Sequence, residues 1–301
     1  MVEIIKLVED TKNFQDFCKQ IEAGRFSHAY IVLSPDELYN KTFCKLVAMK
    51  LNCLGVCKSC ADCVKILKEV HPDVLNFPKG KSVLVEDANV ITNELNVLPM
   101  FSKYKIFIIN NFNLATLQAQ NKLLKSIEEP PKNVIFLLNA TSETTVLPTI
   151  MSRVNKIELM PLEKEKIEEV LNKANEDVKE MALLEGEGWI GKTLAYNQDE
   201  NFIKNCDFIK DMLSNMKSSK DILKYSVIFS QKDGFETRLN LLEKEFELKL
   251  LSQNSDMSVE AVSLVFESIN NAKKKFQANC NLGLITDSLL LRILEVKFIC
   301  K

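Results

Sequence analysis

Arginine is nearly missing from this chain: four residues (Arg25, Arg153, Arg238, Arg292) stand against thirty-five lysines in 301 positions. Glycine and proline are scarce, eight of each, and unevenly placed. No glycine occurs between Gly24 and Gly55, and no proline follows Pro161. No apolar run approaches the roughly 18 residues needed to span a bilayer. The first residues, MVEIIKLVEDTKNF, lack the charged-then-apolar order of an export signal. A net charge of −2 excludes a strongly basic face able to hold nucleic acid tightly unaided, so any DNA contact is expected to be shared with partners. The 46% hydrophobic and 27% charged content is that of an ordinary soluble protein. A chain of 301 residues has room for two or three domains. A cytoplasmic location is expected.

Before Pro161, short apolar runs alternate with helical patterns: Ala29–Leu33, Val83–Glu86, Ile106–Ile109 and Val134–Leu138. Such continuous runs are what strands buried on both faces show, so a mostly parallel sheet covered by helices is expected. After Pro161 the pattern is helical. LEKEKIEEVLNKAN (162–175) puts Leu162, Ile167, Val170 and Leu171 on one stripe, and Arg238–Leu251 and Val259–Phe276 are further amphipathic segments. Gly186, Gly188 and Gly191 interrupt, and helix resumes near Asn201. The expected architecture is an α/β domain (1–160), a small helical domain (161–203) and a larger helical domain (204–301).

The segment after the first strand is Ser34-Pro35-Asp36-Glu37-Leu38-Tyr39-Asn40-Lys41-Thr42, followed by a helix at Phe43–Leu51. Lys41 and Thr42 stand where a phosphate-binding loop carries its lysine and its magnesium-binding hydroxyl. Such a loop wraps phosphates with successive backbone N–H groups, which requires glycine, and none is present. Asp36 and Glu37 would add like charge. Lys41 is then either a solvated lysine near the helix start or a relic of an active loop. Independently, the strand 105–109 ends in Asn110-Asn111, where a nucleotide hydrolase needs carboxylates for Mg²⁺ and water; an amide cannot replace them.

Cys53, Cys57, Cys60 and Cys63 are spaced x3, x2, x2. Four thiolates in eleven residues could close a structural Cys₄ zinc site with no ligand position left for catalysis. An iron–sulfur site, here without its Cys-Pro ending, and unliganded thiols are the rival readings. The other cysteines (Cys18, Cys44, Cys206, Cys280, Cys300) read as buried free thiols. Without an export signal, nine cysteines point to a reducing compartment. His71 and His28 read as structural residues preceding strands.

Residues 121–154, NKLLKSIEEPPKNVIFLLNATSETTVLPTIMSRV, read as an amphipathic helix stopped by Pro130-Pro131, a buried strand, and a short helix opened by Pro148 that ends in Ser152-Arg153. In a chain this poor in arginine, a guanidinium here suggests a need for its planar set of donors. A plain alternative is a helix-end arginine satisfying the last carbonyls.

Together with His28-Ala29-Tyr30, the cysteine module, His71-Pro72-Asp73, Leu147–Arg153 and the Glu128-Glu129-Pro130-Pro131 stop, this order resembles the delta-prime branch of the bacterial DNA polymerase III clamp-loader family, of the AAA+ class, over about 130 residues. The resemblance implies a RecA-like parallel sheet followed by an all-α lid and an all-α collar. It implies no ATP bound in cis and a structural Zn²⁺. Arg153, supported by Ser152, would act in trans on a neighbour's ATP. Thr141 would occupy the γ-phosphate-sensing position of active relatives, and with no nucleotide in cis its expected role here is a strand-tip hydrogen bond. Lys192 would stand where the lid helix begins, and Trp189 would pack between lid helices. The implied partners are the gamma/tau ATPase and the delta subunit, with the sliding clamp and primed DNA beyond them. An ATP-hydrolysing motor subunit with an atypical phosphate loop is the alternative. Val154 departs from the family's Ser-Arg-Cys, and the first cysteine spacing is shorter than the family's usual one.

Overall fold

The computed structural model describes residues 2–53, 55–171, 176–251 and 258–299. The chain forms two compact units: Met1–Val170 with Gly188–Gly191, and Leu171–Glu187 with Lys192–Lys301.

The first unit is built on five parallel strands in the order β2-β3-β4-β1-β5. These are β1 (Ala29–Leu33), β2 (Val74–Phe77), β3 (Lys105–Ile109), β4 (Val134–Ala140) and β5 (Asn155–Glu158). Its helices are α1 (Val2–Glu9), α2 (Lys12–Glu22), α3 (Glu37–Asn52), α4 (Ala61–Leu67), α5 (Val85–Glu94), α6 (Leu117–Glu128), α7 (Pro148–Met151) and α8 (Lys164–Val170). Every residue of β1, β3 and β4 is buried, Lys105 and Asn139 included, and their stretches Ala29–Leu33, Ile106–Ile109 and Val134–Leu138 are unbroken apolar runs. One face, with Ile31, Phe107, Phe136 and Leu138, packs on Ala88 and Ile91 of α5 and on Ala119, Leu123 and Ile127 of α6. α3 packs against β1, β3 and β4, with α1 and α2 layered on α3.

The expectation of a strand at Val83–Glu86 is corrected. α5 starts at Val85, and the Asp87 carboxylate accepts the N–H of Leu84 at 3.1 Å. Its β-branched residues reflect one buried contact, Val83, beside a helix start. β2 and β5 were not read from the sequence. They flank the sheet, their burial is mixed, and neither carries a continuous apolar run.

The second unit is helical throughout its described residues: α9 (Glu176–Gly186), most of α10 (Ile190–Gln198), α11 (Glu200–Asn215), α12 (Ser219–Phe229), α13 (Phe235–Leu251), α14 (Val259–Gln277) and α15 (Leu282–Ile299). Phe202, Ile209, Phe229, Phe235, Phe246, Ile269 and Ile293 lie in one core. Within it Arg238 is 4% exposed and donates to the carbonyls of Phe229 (3.1 Å), Asp233 (2.8 Å) and Gln231, and to Asn205 Oδ1 (3.1 Å). Residues 172–175 of the expected helix 162–175, and Cys300, lie outside the described residues.

Candidate functional site

At the junction of β1 and α3, where a phosphate-binding fold places its ligand, Ser34, Asp36 and Asn40 are buried. Only Ser34, Pro35 and Asp36 separate the strand from the helix, so α3 begins at Glu37, six residues earlier than its expected start. Asp36 caps the helix: its carboxylate accepts the N–H of Tyr39 at 3.0 Å and that of Gly191 at 2.6 Å. At Gly191 a Cβ would lie 2.3 Å from Asp36 Oδ1 and 2.9 Å from Leu38 Cβ, so only glycine admits this approach. Asn40, fully buried, donates to the carbonyls of Ser34 (2.9 Å) and Ala140 (3.1 Å) and accepts from Ser34 Oγ (2.8 Å). An internal carboxylate thus sits at the positive end of α3, where a phosphate-binding fold places its ligand.

Lys41 lies in the second turn of α3, its ammonium bonded to Glu37. That bond holds the Glu37 carboxyl below its ordinary range, helped by a hydrogen bond from the Asn111 side chain. Thr42 Oγ1 donates to the Leu38 carbonyl at 2.7 Å, a bond along the helix itself. Neither group points its chemistry toward an open cradle.

The ends of β3 and β4 are joined by amides. Asn139 Nδ2 donates to Asn110 Oδ1 at 2.7 Å, Asn139 Oδ1 accepts the N–H of Asn111 at 3.1 Å, and Asn110 Nδ2 donates to the Phe77 carbonyl at 3.1 Å. Asn111 holds φ +51°, a left-handed conformation that asparagine tolerates, and its Oδ1 is buried without a partner. Thr141 follows β4, its N–H donating to Asn113 Oδ1 at 3.0 Å. Sequence reasoning missed Asn40 and Asn139. The signal available for Asn139 was one amide inside the apolar run VIFLLNA.

The four cysteines converge: Sγ atoms of Cys53, Cys57, Cys60 and Cys63 all lie within 4.8 Å of one another, with Cys53 and Cys57 3.7 Å apart. Zn–S bonds of about 2.3 Å place tetrahedral sulfurs about 3.8 Å apart, so this donor set fits zinc. The N–H of Cys60 points at Cys57 Sγ (3.2 Å) and that of Cys63 at Cys60 Sγ (3.4 Å). N–H groups of Cys60 and Ser59 pull the Cys57 thiol down to about 6, toward the thiolate a metal needs, whereas burial pushes Cys63 up. The left-handed turns fall at Val56 (φ +44°) and Lys58 (φ +60°), not at Gly55. Among the remaining cysteines, Cys44 and Cys206 are buried, Cys18 is half-buried, and Cys280 is exposed, contrary to expectation.

His71 and Asp73 are structural. The Asp73 carboxylate accepts three N–H groups, from Met100 (2.8 Å), Phe101 (2.7 Å) and Ser102 (2.9 Å), and His71 Nδ1 accepts the N–H of Asp73 at 3.1 Å. His28 Nε2 lies 3.0 Å from the Ile127 carbonyl.

Arg153 lies just beyond α7, whose C-cap is Ser152. Its Nη1 donates to the Thr149 carbonyl (2.8 Å) and Ser152 Oγ (3.2 Å), and Nη2 to Glu128 Oε1 (3.2 Å). Nε stands 3.0 Å from Glu128 Oε2, close but not aligned for a hydrogen bond. β5 follows at Asn155, in register with Tyr30 at the start of β1. Arg153 is therefore at the amino-terminal ends of the strands, beside the edge strand, whereas Asp36 and Asn40 are at the carboxy-terminal ends. The four-residue rise from Tyr30 to Ser34 alone spans about 13 Å. The structure does not bring Arg153 to this chain's own β1–α3 junction.

Strand order, parallel pairing and a helix launched from the first strand define a RecA-like α/β domain of the AAA+ class, followed by an all-α region. Residues 9–163, just over half of the chain, match the family described as DNA polymerase III, delta subunit, and the chain belongs to that family. It is similar to DNA polymerase III subunit gamma of Buchnera aphidicola subsp. Acyrthosiphon pisum (strain APS), 26% identical over 273 residues, covering 83% of this chain and 71% of that one. It is also similar to DNA polymerase III subunit gamma/tau of Mycobacterium tuberculosis (strain ATCC 25618 / H37Rv), 31% identical over 140 residues, 44% of this chain and 24% of the other. The chain thus spans less than a quarter of the mycobacterial protein. Among solved structures, a DNA polymerase III gamma subunit-related protein of Thermotoga maritima shares 21% identity over 94% of this chain and 99% of its own, with a TM-score of 0.46.

Proposed function

We propose that this chain is a non-hydrolysing, delta-prime-like subunit of the DNA polymerase III clamp loader, acting in DNA replication in the cytoplasm. It lends Arg153, with Ser152 in support, to the ATP of a neighbouring gamma/tau-type subunit. With that ATPase and a delta subunit it helps place the sliding clamp on primed DNA. The observation that carries this reading is the separation of the two ends of the sheet. One end has Asp36 and Asn40 where phosphates would lie; the other presents a guanidinium beside the edge strand. A cation that does not reach its own pocket serves another's. In this reading residues 1–160 form the ATPase-like domain, 161–203 the lid and 204–301 the collar, and a structural zinc closes the loop at 53–63.

The test is hydrolysis by the loader reconstituted with its gamma/tau subunit. Arg153→Ala should leave assembly intact and slow hydrolysis at the one neighbouring site by about 10³-fold or more. An unchanged DNA-stimulated rate refutes the role. The relatives' names keep one second reading in play, an ATP-hydrolysing motor subunit. Micromolar, Mg²⁺-dependent ATP binding by the isolated chain would establish it in place of the first.

A further inference from the structure

The contact between Glu128 and Arg153 belongs to neither the sheet nor the core, and its placement runs against helix electrostatics. Glu128 is the last residue of α6, with Glu129 as the C-cap and Pro130-Pro131 ending the helix. The carboxyl end of a helix carries partial negative charge, so an acid there is disfavoured unless a cation answers it. Arg153, 25 residues away in sequence, is that cation.

We propose that Glu128 is a positioning residue that aims the Arg153 guanidinium out of the subunit edge. The inference rests on the finger reading above. Glu128 Oε1 holds Nη2 at 3.2 Å and Oε2 lies 3.0 Å from Nε, while the Thr149 carbonyl holds Nη1 at 2.8 Å from the other side. A planar guanidinium held from two directions has its orientation fixed. Nη2 carries two hydrogens and has one partner among the described residues, so one N–H is left for an incoming phosphate oxygen. Arg153 keeps 32% of its side chain exposed and Glu128 51%, so a partner's oxygens can reach the pair. The carboxylate is not meant to be displaced. It sets the direction in which the remaining hydrogens point.

Two measurements test this, one on the free chain and one on the assembled loader. With only four arginines, side-chain ¹⁵N–¹H spectra resolve the Nε–H groups individually. Glu128→Gln, which removes the charge 3.0 Å from Nε, should shift the Arg153 signal, and Glu128→Asp, which keeps the charge, should recover part of the native position. An unperturbed Arg153 signal in Glu128→Gln overturns the proposal. In the loader, Glu128→Gln should lower single-turnover hydrolysis at the neighbouring site on the order of 10-fold with KM for ATP unchanged, the signature of a misaimed group. On an Arg153→Ala background the same substitution should cost nothing further, whereas a merely structural role would still show. If Arg153→Ala slows hydrolysis but Glu128→Gln does not, the positioning role falls and the finger stands. A silent Arg153→Ala removes both.

Discussion

Replacing Asp36 by alanine removes the carboxylate that caps the amino end of α3. Two losses follow. The N-cap bond to Tyr39 disappears, at about 1 kcal/mol. The half-buried N–H of Gly191 loses its charged acceptor at 2.6 Å, a further ~1–2 kcal/mol. The first unit should therefore lose about 2–3 kcal/mol in all. Trp189, the only tryptophan, lies two residues from Gly191, so urea unfolding followed by its fluorescence reads the affected segment directly. The midpoint should fall with the slope unchanged. Asp36→Asn, which keeps an acceptor oxygen without the charge, should fall between the two. Asp36→Ala should still not bind ATP, because Asn40 keeps its bonds to Ser34 and Ala140 and Thr42 keeps its bond to Leu38. A loss below about 0.5 kcal/mol would show that Asp36 does not hold these N–H groups. Tight Mg²⁺-ATP binding by Asp36→Ala would show that the carboxylate alone had kept a working cradle shut.

The cysteine module should yield about one zinc per purified chain. Cys63→Ser should abolish it and Cys280→Ser should not; iron with visible absorbance would overturn the assignment. Glu185, in the second unit, has its carboxyl raised above the ordinary range by burial, against the pull of Lys244, and its Oε1 is buried without a partner. The folded state thus holds that proton more firmly than the unfolded one, so this group costs stability as pH rises past the ordinary carboxylate pKa. Glu185→Gln should melt higher than the native chain at pH 7 and together with it near pH 4; equal melting at both values refutes the assignment.

What the sequence disclosed depended on whether a feature was local. β1, β3 and β4 are buried on both faces, so their composition alone announced them. The edge strands β2 and β5 draw their identity from one neighbour each, and their mixed residues carried no pattern. The cysteine cluster was readable because its four thiols fall within eleven residues. The lack of glycine between β1 and α3 was legible in the sequence, but the side-chain bonds that hold this junction were not. Asn40 bonds to Ala140, a hundred residues on, and Asp36 to Gly191, 155 residues on. Glu128 stood in a recognised motif, yet its partner became visible only once α6 and α7 were placed side by side.

Those long-range bonds also show what a strand–helix junction without glycines requires. A strand–helix junction built for phosphate leaves the first N–H groups of the helix and the carbonyls at the strand tips without partners, and buried groups of that kind each cost ~1–3 kcal/mol when unpaired. Here the acceptor is Asp36 for Tyr39, and the donor is Asn40 for the carbonyls of Ser34 and Ala140. Between the tips of β3 and β4 the bridge is Asn139, joining Asn110 and Asn111. Each is a short polar side chain, and together they tie the strand ends to one another and to the start of α3. Under the proposed function, such internal bracing would leave the edge that carries Arg153 independent of any nucleotide cycle in this chain.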